Sequence, residues 1–83
     1  MDLKTETEKW LTCIENDIKK YYLADQNNDE HKRMLRNIHA YISDCRHFMK
    51  NNDMIRAFEA VIWAWAILET LRDLGIVKNN IQN

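Results

Sequence analysis

Three histidines, His31, His39 and His47, recur at intervals of eight residues, and imidazoles at regular spacing raise the question of a metal site. Eight residues turn a helix by about 80° and advance it by about 12 Å, which puts the three beyond the reach of one ion. Asp44 and His47 can share a helix face, but two ligands fall short of the three or four that zinc uses. The histidines are therefore read as members of a polar surface stripe, and no metal or cofactor is expected. Cys13 and Cys45 both border apolar stripes and are expected to be buried, inert thiols, since free cysteine behaves as a small hydrophobe. Two cysteines do not make the disulfide scaffold of small secreted proteins. No Ser-His-Asp spacing, Gly-rich phosphate loop or paired-carboxylate cleft is present, so the expectation is a protein that is not an enzyme. A chain of 83 residues also has little room for a pocket of a few hundred Å³ unless a partner completes it, and no small-molecule substrate is evident.

The remaining chemistry lies in charge. Lys19, Lys20, Lys32, Arg33 and Arg36 gather where a first and a second helix meet, and such clusters can neutralise phosphates. Asp17, Asp25, Asp29 and Glu30 lie among them, which favours a solvated, salt-bridged end. Twelve basic against thirteen acidic side chains give no global field to steer nucleic acid or an anionic membrane. The first ten residues are charged and lack the apolar core of a signal peptide, so the expected location is cytoplasmic.

One glycine, no proline and 30% charged residues fit an all-α chain. The expected fold is a three-helix up-down bundle with helices at about 5–24, 28–50 and 53–74, forming a single domain over 1–76 and leaving a polar, frayed tail at 77–83. In the first helix Thr5 and Glu8 have capping-box spacing, Leu11, Ile14, Ile18 and Tyr21 form a narrow apolar seam, and Glu15–Lys19 is an i, i+4 ion pair. Polar residues 25–29 connect it to the second helix, capped by Asn27, Asn28 or Asp29. That helix carries Leu35, Ile38, Ile42, Cys45 and Met49 on one line, with an Asp29–Arg33 pair on its surface. Asp53 is suited to cap the third helix and Gly75 to end it in the left-handed conformation, with Ile76 folding back on the last turn.

The third helix organises the rest. The run from Ala60 to Leu68 has no polar side chain, yet it is shorter than the roughly 20 residues that span a bilayer. Met54, Phe58, Val61, Trp65 and Leu68 lie on one side. Ala57, Ala60, Ala64, Ile67, Leu71 and Leu74 continue round from them, over more of the circumference than a surface helix needs. The helix must touch at least two neighbours, with Phe58 and Trp65 as its large core rings.

The pattern Tyr41-x-x-Asp44-x-x-x-Phe48, then Asp53, Ala57-Phe58-Glu59-Ala60, Ala64-Trp65 and Leu74-Gly75 resembles the small archaeal family known as domain of unknown function 357. The likeness runs from about Met34 to Ile76; the first helix is only compatible with it. It implies a short helical bundle and supplies no catalytic or binding residue. A weaker likeness, to a single tetratricopeptide hairpin, rests on Tyr41, Cys45, Phe48, Ala57, Val61 and Ala64. Asp44 stands there in place of the usual Leu, the closing Pro is missing, and one repeat cannot form a solenoid groove.

Trp63 lies about 160° round the helix from Trp65, so one thin core can hardly enclose both. Either Trp10 and Leu11 of the first helix cover it, or it belongs to an exposed apolar edge that binds another chain. The functional expectation is a small interaction module that self-associates or binds a protein partner through Trp63, Ile67, Leu74 and Trp10. The alternative is a nucleic-acid or nucleoprotein accessory that uses the basic end.

Overall fold

A helix–helix turn and a helix end, both closed by residues with positive φ, set the frame of the molecule. The computed structural model describes residues 2–80. Along the chain run α1 (Leu3–Ile18), β1 (Tyr21–Leu23), α2 (Asp29–Lys50), α3 (Met54–Asp73) and β2 (Val77–Asn79). The three helices run up, down and up, with residues 19–28, β1 among them, joining α1 to α2 and the short turn 51–53 joining α2 to α3.

α1 starts earlier than the Thr5–Glu8 spacing suggests. Asp2 is the cap, its Oδ1 accepting the Thr5 N–H at 2.7 Å, and that bond holds the Asp2 carboxyl below its ordinary pKa. α1 also ends earlier, at Ile18 rather than near residue 24. Tyr21, Tyr22 and Leu23 instead pair antiparallel with Val77, Lys78 and Asn79, in the register Tyr21↔Asn79, Tyr22↔Lys78 and Leu23↔Val77. Aromatic and β-branched residues favour this pleated surface. Period-two alternation turns Leu23 and Val77 inward, 8% and 2% exposed, and leaves Tyr22 outside. Further hydrogen bonds extend the ribbon, from Ala24 N–H to the Ile76 carbonyl at 3.0 Å and from Asn80 N–H to the Lys20 carbonyl at 2.7 Å. The expected frayed tail is thus structured through residue 80; residues 81–83 lie outside the described chain.

Asn28 caps α2, accepting the His31 N–H at 3.0 Å. At the other end Asn52 takes φ +63°. Its N–H bonds the Met49 carbonyl and the Asp53 N–H bonds the Phe48 carbonyl, the paired closure of a Schellman motif. Asp53 then accepts the Arg56 N–H and opens α3, so one residue finishes a helix and starts the next. α3 closes the same way. Gly75 has φ +73°, the Gly75 N–H bonds the Arg72 carbonyl and the Ile76 N–H bonds the Leu71 carbonyl.

α3 lies between the other two helices, packed along α2 and less extensively against α1, while α1 and α2 barely meet. The result is a slab of 38 × 28 × 16 Å rather than a closed triangle of helices. Ala57, Ala60, Val61, Ala64, Leu68 and Leu71 form the buried stripe of α3 and meet Ile14 from α1 and Ile38, Ile42 and Cys45 from α2. Small residues let the backbones approach closely, so branched aliphatics fill the centre. Phe58 and Trp65 are only half-buried, contrary to the expectation that they form the core, because they sit at the flank of this stripe. Thr7 is fully buried and satisfies its hydroxyl by donating to the Leu3 carbonyl at 2.7 Å.

Candidate functional site

The flatness of the slab decides what α3 leaves uncovered. Trp63 projects on the side of α2, stacked on Tyr41 with centroids 6.4 Å apart and planes 19° apart, and remains 54% exposed. Beside it Met34, Ala66, Ile67, Thr70 and Leu71 line an apolar groove of about 180 Å³. One turn further on is Leu74, 68% exposed. Trp63, Ile67, Thr70 and Leu74 follow helical spacing, so they form one continuous ridge. Trp63 and Ile67 therefore share a surface, with Leu74 extending it.

Trp10 does not join them. Its ring meets Trp65 edge-on, with centroids 5.8 Å apart at 80°. Trp65 Nε1–H donates to the Trp10 carbonyl at 3.1 Å, and Trp10 Nε1–H donates to Glu6 at 3.1 Å. Trp10 is thus a clasp between α1 and α3 on the flank away from Trp63. The pairing follows from the wheel, which sets Trp65 about 160° from Trp63.

The basic end is largely neutralised. Lys20 pairs with Asp17 at 3.4 Å, Lys32 with Asp29 at 4.0 Å and Arg33 with Glu30 at 2.5 Å. The expected Asp29–Arg33 pair does not form, because Glu30, one residue closer in sequence and three before Arg33, accepts its guanidinium fork. The bond lowers the Glu30 pKa and raises that of Arg33. Glu15 likewise bypasses Lys19 and bonds Arg46 across the space between α1 and α2, with Arg46 Nε at 2.7 Å. That space is a polar groove of about 440 Å³, lined by Thr12, Glu15, Asn16, Ile18, Lys19, His39, Ile42 and Arg46. The chain thus has a pocket of a size not expected for its length. The splay of α1 from α2 opens it, and the only sequence signal was the i, i+3, i+4, i+7 spacing of Thr12, Glu15, Asn16 and Lys19.

The histidines are dispersed. His31 sits in the first turn of α2 with a buried Nδ1 that has no partner among the described residues. His39 lines the polar groove, and His47 meets the Asn51 side chain at 3.1 Å. Among the described residues no three His, Cys, Asp or Glu side chains are grouped to hold a metal. Cys45 is fully buried. Burial pushes its thiol up to about 11, with Glu15 adding to the rise and Arg46 opposing it. Cys13, expected to be buried, is exposed, because it lies about 100° round α1 from Ile14. No helix among the described residues is long and apolar enough to cross a membrane.

The family model described as "Protein of unknown function (DUF357)" matches residues 9–77. The chain belongs to the DUF357 family. Among solved structures it is similar to the crystal structure of protein AF1782 from Archaeoglobus fulgidus, also assigned to DUF357. The two share 42% sequence identity, with a TM-score of 0.81 over 93% of this chain and 92% of that one. No curated protein matches. The DUF357 match takes in most of α1 and reaches β2, beyond the 34–76 stretch on which the resemblance in sequence rests.

Proposed function

We propose that this DUF357 protein is a small non-enzymatic interaction module that self-associates through the outer face of α3. The observation that carries the reading is the exposed Trp63 ring, stacked on Tyr41 and continuous with the apolar groove and Leu74. Trp and Tyr are, with Arg, the residues enriched among binding hot spots. A Trp has about 200 Å² to bury, so covering the open half of one is worth about 2–3 kcal/mol at about 25 cal/mol/Å². In a two-fold dimer each copy contributes the same patch, and Ile67 and Leu74 add to it. Association entropy offsets much of this gain, so the outcome is a weak to moderate dimer.

Sedimentation equilibrium of the parent and of Trp63→Glu at micromolar concentrations tests the reading. A dimer that Trp63→Glu dissociates supports it. A 10 kDa species at every concentration, or a dimer indifferent to the substitution, overturns it. The nucleic-acid alternative gains no support from the basic end, where three of the five cations are already paired with carboxylates. Its signature would be polynucleotide binding that weakens steeply with salt.

A further inference from the structure

The groove between α1 and α2 lies apart from the Trp63 face and is built differently. Thr12, Glu15 and Asn16 wall it from α1 and Lys19 from the cap that ends α1, His39 and Arg46 wall it from α2, and Ile18 and Ile42 form its apolar part. Its volume of about 440 Å³ falls within the range of small-molecule sites, about 300–1,000 Å³. Hydrophobic packing has not closed the gap, and polar side chains from both helices converge on it instead.

Most of the uncommitted hydrogen-bonding capacity is donor capacity. Lys19 takes part in none of the ion pairs of the described residues. Arg46 uses Nε and Nη2 on a single oxygen of Glu15, leaving Nη1 for another acceptor. Asn16, Thr12 and His39 add further polar groups. The one acid, Glu15, already holds Arg46 in place across the groove. The free Nη1 of Arg46 and the Lys19 ammonium line the same groove, and two cationic donors on one groove suit a phosphate, which accepts charge-assisted hydrogen bonds at several oxygens.

We propose that the α1–α2 groove binds a small phosphate-bearing molecule, with Lys19 and Arg46 on the phosphate, His39 beside them, and Ile18 and Ile42 against an apolar substituent. Glu15 is the internal competitor for Arg46, so removing its charge tightens binding.

The test is a ¹⁵N NMR titration of the full chain with inorganic phosphate and with phenyl phosphate, at constant ionic strength. Shifts clustering at Thr12, Glu15, Asn16, Lys19, His39 and Arg46 are expected, with phenyl phosphate binding more tightly than inorganic phosphate. Lys19→Gln weakens binding about tenfold, the worth of one charge-assisted contact; Glu15→Gln strengthens it several-fold. Lys19 is exposed and its carbonyl, which accepts from Asn80 at 3.4 Å, is kept in the variant, so Lys19→Gln decides the matter even if Glu15→Gln loses its fold. Absence of shifts at millimolar ligand overturns the proposal. So do shifts spread over Lys4, Lys9 and Lys50, equal binding of the two probes, affinity indifferent to Lys19→Gln, or weaker binding by a folded Glu15→Gln.

Discussion

Gly75 and Cys45 show how a single residue can be tied to a measurement. Among the described residues beyond its chain neighbours, a Cβ at Gly75 would meet the flexible end of Lys78 at 3.7 Å, an ordinary contact, so any penalty there belongs to the backbone at φ +73° and not to a clash. Gly75→Ala is expected to lower stability by about 1 kcal/mol in thermal or urea denaturation; a neutral result means that α3 runs on past its present end. The two cysteines divide just as clearly. Thiol titration of the native protein should modify exposed Cys13 readily, with Cys45 reacting only on unfolding. Because the folded pKa of Cys45 is raised to about 11 and an unfolded thiol titrates near 8.5, its contribution is complete below that lower value. It is lost as pH rises through about 11. Cys45→Ala should flatten that alkaline decline.

At the scale of elements, the alanine stripe of α3 sets how closely the helices approach. Ala64 is fully buried, and Ala64→Leu is expected to cost about 1–3 kcal/mol, read from the urea midpoint, because a packed interior has no room for three more carbons. The three helices, the Asp53 cap and the Gly75 closure were legible from periodicity and capping chemistry, which are local. The end of α1 was not. Tyr21, Ile18 and Leu11 keep helical spacing, and what turns Tyr21–Leu23 into a strand is Val77–Asn79, at the far end of the sequence. A stretch that carries both periods is decided by its partner. Trp63 was legible as too large for a shared core, whereas the partner of Trp10 and the groove beside Arg46 depend on how far α1 splays from α2. No spacing within one helix encodes that angle.

Across the whole molecule, α3 is covered from two sides while α1 and α2 scarcely touch, so the elements differ in how firmly they are held. Native-state hydrogen exchange is expected to find the slowest amides in the middle of α3, around Val61 to Leu68, and faster opening in α1. Equal protection of α1 and α3 would contradict this hierarchy. The short ribbon joining residues 21–23 to residues 77–79 also bears on the order of assembly. Closing so long a stretch of chain carries a larger entropic penalty than closing the α2–α3 hairpin, whose turn is only residues 51–53. The hairpin should therefore nucleate, with α1 docking afterwards and the ribbon zipping last. In stopped-flow chevrons Leu23→Ala and Val77→Ala should leave the refolding limb nearly unchanged and accelerate unfolding, with φ-values near zero, whereas Val61→Ala should slow refolding. A protein that latches last also unlatches first, and the ends of α1 and α3 held by the ribbon would be the place where this chain begins to come apart.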